Sequence, residues 1–184
     1  MTRVFGLLFI LVLEAVPAMA QHGDALDDVL EHLPMATAIG LSACGAGGDH
    51  TLLQTLGHAA ASYAVGTAAT YTLKHAVSEE RPDHSDRRSF PSGHATYAFA
   101  SAAVLRHEYG HVSPWVAASG YAVAVLTAAD RVRRDRHHWY DVCAGAAIGT
   151  VATEATYYVS QRWLKGNHAA VAFNGCTVRL AYRW

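Results

Sequence analysis

Four consecutive residues, Pro91-Ser92-Gly93-His94, stand immediately before an Ala-rich segment and carry the groups an anion pocket needs. Backbone N–H groups in the first turn of a helix have no carbonyl partner within it, and the helix dipole places partial positive charge there. Pro91 pre-sets the chain for helix entry, while Gly93 lets a ligand come close to the backbone. Ser92 adds a hydroxyl, and His94 adds a proton that can be moved. A phosphate suits such a site. Three cations could complete it: Lys74, Arg81 and Arg131. His137 and Asp141 are four residues apart, which would place both on one face of a helix. A carboxylate on one imidazole nitrogen fixes the tautomer and leaves the other nitrogen for nucleophilic attack. His138, three residues from Asp141, competes for that role, and the i+4 spacing favours His137.

These residues can meet only if helix ends bring them together. Apolar segments predict helices over Val29–Ala43, Leu52–Leu73, Ser92 to about Gly110, Trp115–Ala129 and His137–Trp163. Thr51 or Asp49 could cap the second, and Pro114 opens the fourth. Gln21–Asp28 reads as loose and polar, and Asp130–Arg136 as a charged turn. Short connections favour up-and-down alternation. The end of the second helix, the start of the third, the end of the fourth and the start of the fifth then share one face. Lys74, Arg81, Ser92, Gly93, His94, Arg131, His137 and Asp141 all fall there. The expected fold is all-α, an up-and-down bundle of about five helices. It ends in a short C-terminal β-hairpin, because Asn174-Gly175 lies between two apolar runs.

The 184-residue chain divides into residues 1–20, a helical domain over 21–166 and the hairpin tail over 167–184. Arg3, the apolar run Val4–Leu13 and Ala18-Met19-Ala20 form a secretory signal pattern. Fourteen Lys and Arg against fifteen Asp and Glu leave a net charge of −1, so no bulk field points to nucleic acid. Cys44, Cys143 and Cys176 are an odd number for an exported chain, and no disulfide pairing follows. Cys44 and Cys143 sit among Ala and Gly and read as small buried residues. Small residues crowd the helices in the manner of membrane bundles, which tips the expectation towards a membrane-embedded bundle. His107 and His111 stand at metal-ligand spacing, but Gly110 breaks that turn, so no metal or other cofactor is expected.

Lys74-x6-Arg81-Pro82, Pro91-Ser92-Gly93-His94 and Arg131-x5-His137-x3-Asp141 together resemble the three-part signature of the type 2 phosphatidic acid phosphatase and vanadium haloperoxidase superfamily. The resemblance implies a metal-independent phosphomonoesterase or pyrophosphatase. It implies that Lys74, Arg81, Arg131, Ser92 and the Gly93 amide hold the phosphoryl oxygens. His137 would attack phosphorus to form a phosphohistidine, with Asp141 orienting it and His94 protonating the leaving group. Two departures stand out. Asp130 replaces the usual serine before Arg131 and is expected to turn away towards Arg133 or Arg134. The loop between Arg81 and Pro91 is short, which predicts an open mouth.

The expected partners are a phosphorylated lipid or a small phosphate ester, a membrane, and vanadate as inhibitor; the expected location is the periplasmic face. Three rivals remain at this stage. One is a soluble periplasmic acid phosphatase, consistent with the many arginines on the outer face. The second is a vanadium-dependent haloperoxidase, for which the chain is short. The third is a non-catalytic binder of anionic lipid.

Overall fold

The computed structural model describes residues 24–166, 168–173 and 178–183, and side chains from Asp27 to Arg162. The expected signal segment, residues 1–20, lies outside the described residues, as does Cys176. Among the described residues a seven-residue helix, α1 (Asp24–Leu30), precedes five longer ones. These are α2 (Leu33–Ala43), α3 (Leu52–Ala76), α4 (Gly93–Tyr109), α5 (Pro114–Arg133) and α6 (Trp139–Gly166). The expected helical fold is therefore found, with shifted boundaries.

Local chemistry sets most of the helix ends. Thr51 caps α3 in a reciprocal box: its hydroxyl accepts from the Gln54 amide at 3.4 Å, and the Gln54 side chain accepts from the Thr51 amide at 3.0 Å. Ser92 caps α4, its hydroxyl oxygen accepting from the Ala95 amide at 3.4 Å. Pro34 in the first turn of α2 splits the helix expected over Val29–Ala43 into α1 and α2. The stretch expected to be loose instead holds most of α1. Asp130 to Arg133 form the last turn of α5, not a free turn.

The central helix is α4, which packs against α2, α3, α5 and α6. Its side chains are small where neighbours approach most closely: Ala95, Ala98, Ala100, Ala102 and Ala103 are all buried. On α6, Gly145 and Gly149 answer them. A Cβ at Gly145 would lie 2.4 Å from the Ser92 carbonyl oxygen, and one at Gly149 would lie 2.2 Å from that of Thr96. Only glycine permits so close a crossing. Larger side chains, Met35, Leu105, Tyr109, Val116 and Tyr157, fill the core towards the other end of α4. The bundle is thus filled by bulky groups at one end and clamped backbone to backbone at the other.

Three expectations change. The C-terminal hairpin is not supported: residues 168–173 and 178–183 pair as extended segments, but the Asn174-Gly175 turn and every side chain of the tail lie outside the described residues. Among the described residues no helix is long and apolar enough to cross a membrane. The length is present in α3 and α6, but Gly, Thr and Ser in both, His in α3 and charged residues in α6 make them too polar. Cys44 and Cys143 carry free thiols and are exposed rather than buried, because Cys44 caps the end of α2 and Cys143 lies on an outward face of α6.

Candidate active site

The ends of α3, α4, α5 and α6 converge as alternation requires, and a cavity of about 350 Å³ opens between them. Lys74, Arg81, Gly93, His94, Arg131 and His137 line it. Lys74 comes from the last turn of α3 and donates to the Arg88 carbonyl at 2.8 Å. Arg81, on the following loop, is aimed by Asp86, which accepts from its Nε at 2.9 Å, and by the Arg136 carbonyl at 3.4 Å. Arg131 belongs to the last turn of α5, where the dipole favours a cation. Ser92 is fully buried and does not line the cavity; its hydroxyl caps α4 and so presents Gly93 and the first-turn amides.

His137 lies in the turn before α6, not on the helix as expected. The Arg131 carbonyl accepts from the amides of both Arg136 and His137, at 3.0 and 3.3 Å, and folds this turn back under α5. The imidazole is buried, with its Nδ1 3.6 Å from Asp141 Oδ2 and no hydrogen-bond partner among the described residues. Burial holds the His137 pKa below the ordinary histidine range, and the Arg81, Lys74 and Arg131 charges push it further down. A neutral imidazole is the form that can attack.

Asp141 is the hinge pin of the arrangement. Its Oδ2 accepts from the Ser89 hydroxyl at 2.5 Å and from the His138 amide at 2.9 Å, while its own carbonyl accepts from the Ser92 amide at 3.0 Å. His138 Nδ1 is slightly nearer that carboxylate, at 3.4 Å. The His138 ring, however, stacks on Tyr140 and does not line the cavity. Access to the cup, not distance to Asp141, separates the two histidines.

His94 Nε2 is 2.8 Å from Asp28 Oδ1 and 4.0 Å from Glu31 Oε2. Asp27 pairs with Arg131 at 3.1 Å, both buried, and with Arg134 at 3.6 Å. Sequence reasoning missed these three acids. They stand far from the motif cations along the chain, so nothing local in the sequence pointed to the pairing. Burial, with Asp28 nearby, pushes the Glu31 carboxyl up to about 8. Burial and then the neighbouring Arg81 charge bring Lys74 down to about 8. Thr67, Thr70, Tyr71 and Tyr97 complete the wall. Asp130 turns away as expected, pairing with Arg133 at 2.6 Å and Arg134 at 3.7 Å.

Comparison with known proteins adds the following. The profile of the PAP2 superfamily matches residues 55–165. Over 87 residues the chain is 41% identical to a lipid A 1-phosphatase of Porphyromonas gingivalis, a match covering 47% of this chain and 20% of that protein. Over 107 residues it is 33% identical to a putative phosphatidate phosphatase of Drosophila melanogaster, covering 53% of this chain and 28% of that protein. The chain thus spans between a fifth and a third of the length of these relatives. The crystal structure of Aquifex aeolicus LpxE superposes with a TM-score of 0.56 at 21% identity, covering 79% of this chain and 94% of that one, which is a likeness of fold.

Proposed function

Because this chain belongs to the PAP2 superfamily, we propose that it is a metal-independent phosphatase that hydrolyses a phosphomonoester or pyrophosphate of a lipid through a phosphohistidine. The observation that carries the reading is the cavity in which His137 shares one wall with Lys74, Arg81, Arg131 and the Gly93 end of α4. Fixed cations and a helix N-terminus meet charge on the equatorial phosphoryl oxygens without reorganising during the reaction. With His137 Nδ1 turned towards Asp141, its Nε2 is the attacking atom. The Nε2–phosphorus bond forms as the bond to the leaving oxygen breaks, and His94 gives that oxygen a proton. A water then attacks phosphorus as the Nε2–phosphorus bond breaks, His94 takes the water's proton, and inorganic phosphate departs. Asp28 holds the His94 ring in place for both steps. Asp141 orients His137 and stabilises the charge that ring acquires. Ser92 contributes through the helix start it caps.

A lipid substrate is supported by the names of the relatives and by exposed aromatic groups at the same end of the bundle as the cup. Tyr71, which lines the cavity, is 64% exposed, and Trp139 at the start of α6 is 69% exposed. Such side chains suit a lipid–water boundary. We therefore place the enzyme at the periplasmic membrane surface, and a soluble periplasmic acid phosphatase is the second reading, supported by the absence of a spanning helix among the described residues. A phosphate-release screen over lipid and water-soluble phosphate esters, with vanadate as inhibitor, tests the function. Release from none of them rejects it. Quantitative recovery in a carbonate wash, with soluble esters preferred, selects the second reading.

A further inference from the structure

A second polar cluster lies at the far end of α4 from the cup, about 21 Å away along fourteen helical residues. Its centre is Glu108, a fully buried carboxylate in the last turn of α4 that the proposed reaction does not use. His50, from the loop between α2 and α3, places Nδ1 3.1 Å from Glu108 Oε2. His58, from the second turn of α3, places Nδ1 3.3 Å from Oε1. The two rings meet edge-on, with centroids 4.6 Å apart. One donor atom from each of the three residues falls within 4.8 Å of the others.

We infer that a divalent transition-metal ion, Zn²⁺ foremost, binds here through His50, His58 and Glu108 and ties the α2–α3 loop to α3 and α4. Two imidazoles and one carboxylate favour zinc over magnesium or calcium, which prefer oxygen. Ligands about 2.0–2.1 Å from a tetrahedral zinc are about 3.3 Å from one another, and each imidazole lies close to that distance from one oxygen of Glu108. The surroundings suit ligation. Ser160 Oγ lies 2.8 Å from His58 Nε2 and can take that N–H, leaving Nδ1 with its lone pair for the metal. The Tyr157 hydroxyl donates to Glu108 Oε1 at 2.5 Å and holds the carboxylate still. His50 is 21% exposed, so an ion and a fourth water ligand can reach the site from the α2–α3 loop.

The test uses the full chain, stripped with chelator and titrated with Zn²⁺ alone by calorimetry and thermal unfolding. One equivalent should bind and raise Tm, and Co²⁺ should show the intense visible absorption of four-coordinate ligation. His50→Ala, a loop substitution, should weaken binding at least about tenfold and remove the Tm rise, as should His58→Gln. Asp28→Asn and Glu79→Gln, which disrupt the two other His/carboxylate groupings, should leave this binding unchanged. The inference is overturned if the stripped wild-type chain shows no saturable binding. It is equally overturned if binding survives His50→Ala and His58→Gln yet disappears in Asp28→Asn or Glu79→Gln.

Discussion

Replacing Gly149 by alanine should break the clamp between α4 and α6. The added Cβ would lie 2.2 Å from the Thr96 carbonyl oxygen and 2.9 Å from the Ala100 nitrogen, whereas ordinary contact begins at 3.4 Å. Both obstacles are backbone, so no rotamer change relieves them, and α6 must back away by about 1 Å. Overpacking of this kind costs about 1–3 kcal/mol, and a backbone clash belongs at the upper end. At about 2–4 °C per kcal/mol for a chain of this size, Tm should fall by ~6–12 °C. The same retreat carries Asp141 and the turn holding His137 away from Ser92 and the cup. A misplacement of about 1 Å can reduce turnover ~100-fold. Gly57→Ala is the matched control, because nothing lies within 4 Å of its Cβ. In the interior of α3 it should stabilise by about 0.5–1 kcal/mol. Thermal unfolding of both variants, with phosphate release from the best substrate, reads the contrast. Equal Tm shifts of the same sign would refute the packing account.

Three further outcomes follow from the site. His137→Ala should abolish phosphate release with Tm little changed, while His138→Ala retains most of it; the reverse pattern in a turnover assay moves the nucleophile to His138. Because Lys74 titrates near 8 instead of at its ordinary 10.5, the affinity for vanadate should drop as pH rises through about 8. Lys74→Arg should remove that drop in a titration across pH 6.5–9.5, the range being roughly the interval between His and Lys values. Glu31 holds its proton more tightly folded than unfolded, where its value is near 4.5. Wild-type stability should therefore decline as pH rises from that value through about 8, and Glu31→Gln should be relatively more stable above it. Denaturant melts at pH 5 and pH 9 check this, and an equal difference at both would sink the assignment.

The cavity end was readable because its residues occupy helix ends, and alternation alone decides which ends meet. Lys74, Arg81, Gly93, Arg131 and His137 line one cavity for that reason. The exact seat of His137 was not readable: periodicity places it on α6, but the Arg131 carbonyl captures its amide and keeps it in the turn. Nor was α1. Gln21–Asp28 has no apolar stripe, and what holds the described part of it is pairing with cations over a hundred residues away, as in Asp27 with Arg131. Such tertiary charge pairing leaves no local trace. The outward-facing thiols were missed because small neighbours argue for close packing without saying which side of the helix is packed.

The bonds of Asp141 have a consequence for how the protein can breathe. Through its carbonyl it grips the start of α4, and through its carboxylate it grips the Ser89 hydroxyl and the His138 amide. The proposed attacker and anion seat are therefore fastened to a common rivet and drift together under thermal agitation. Any widening of the entrance has to be taken up on the opposite bank, where α1 is held to the rest by charge pairs and the buried Leu30 instead of by interlocked backbone.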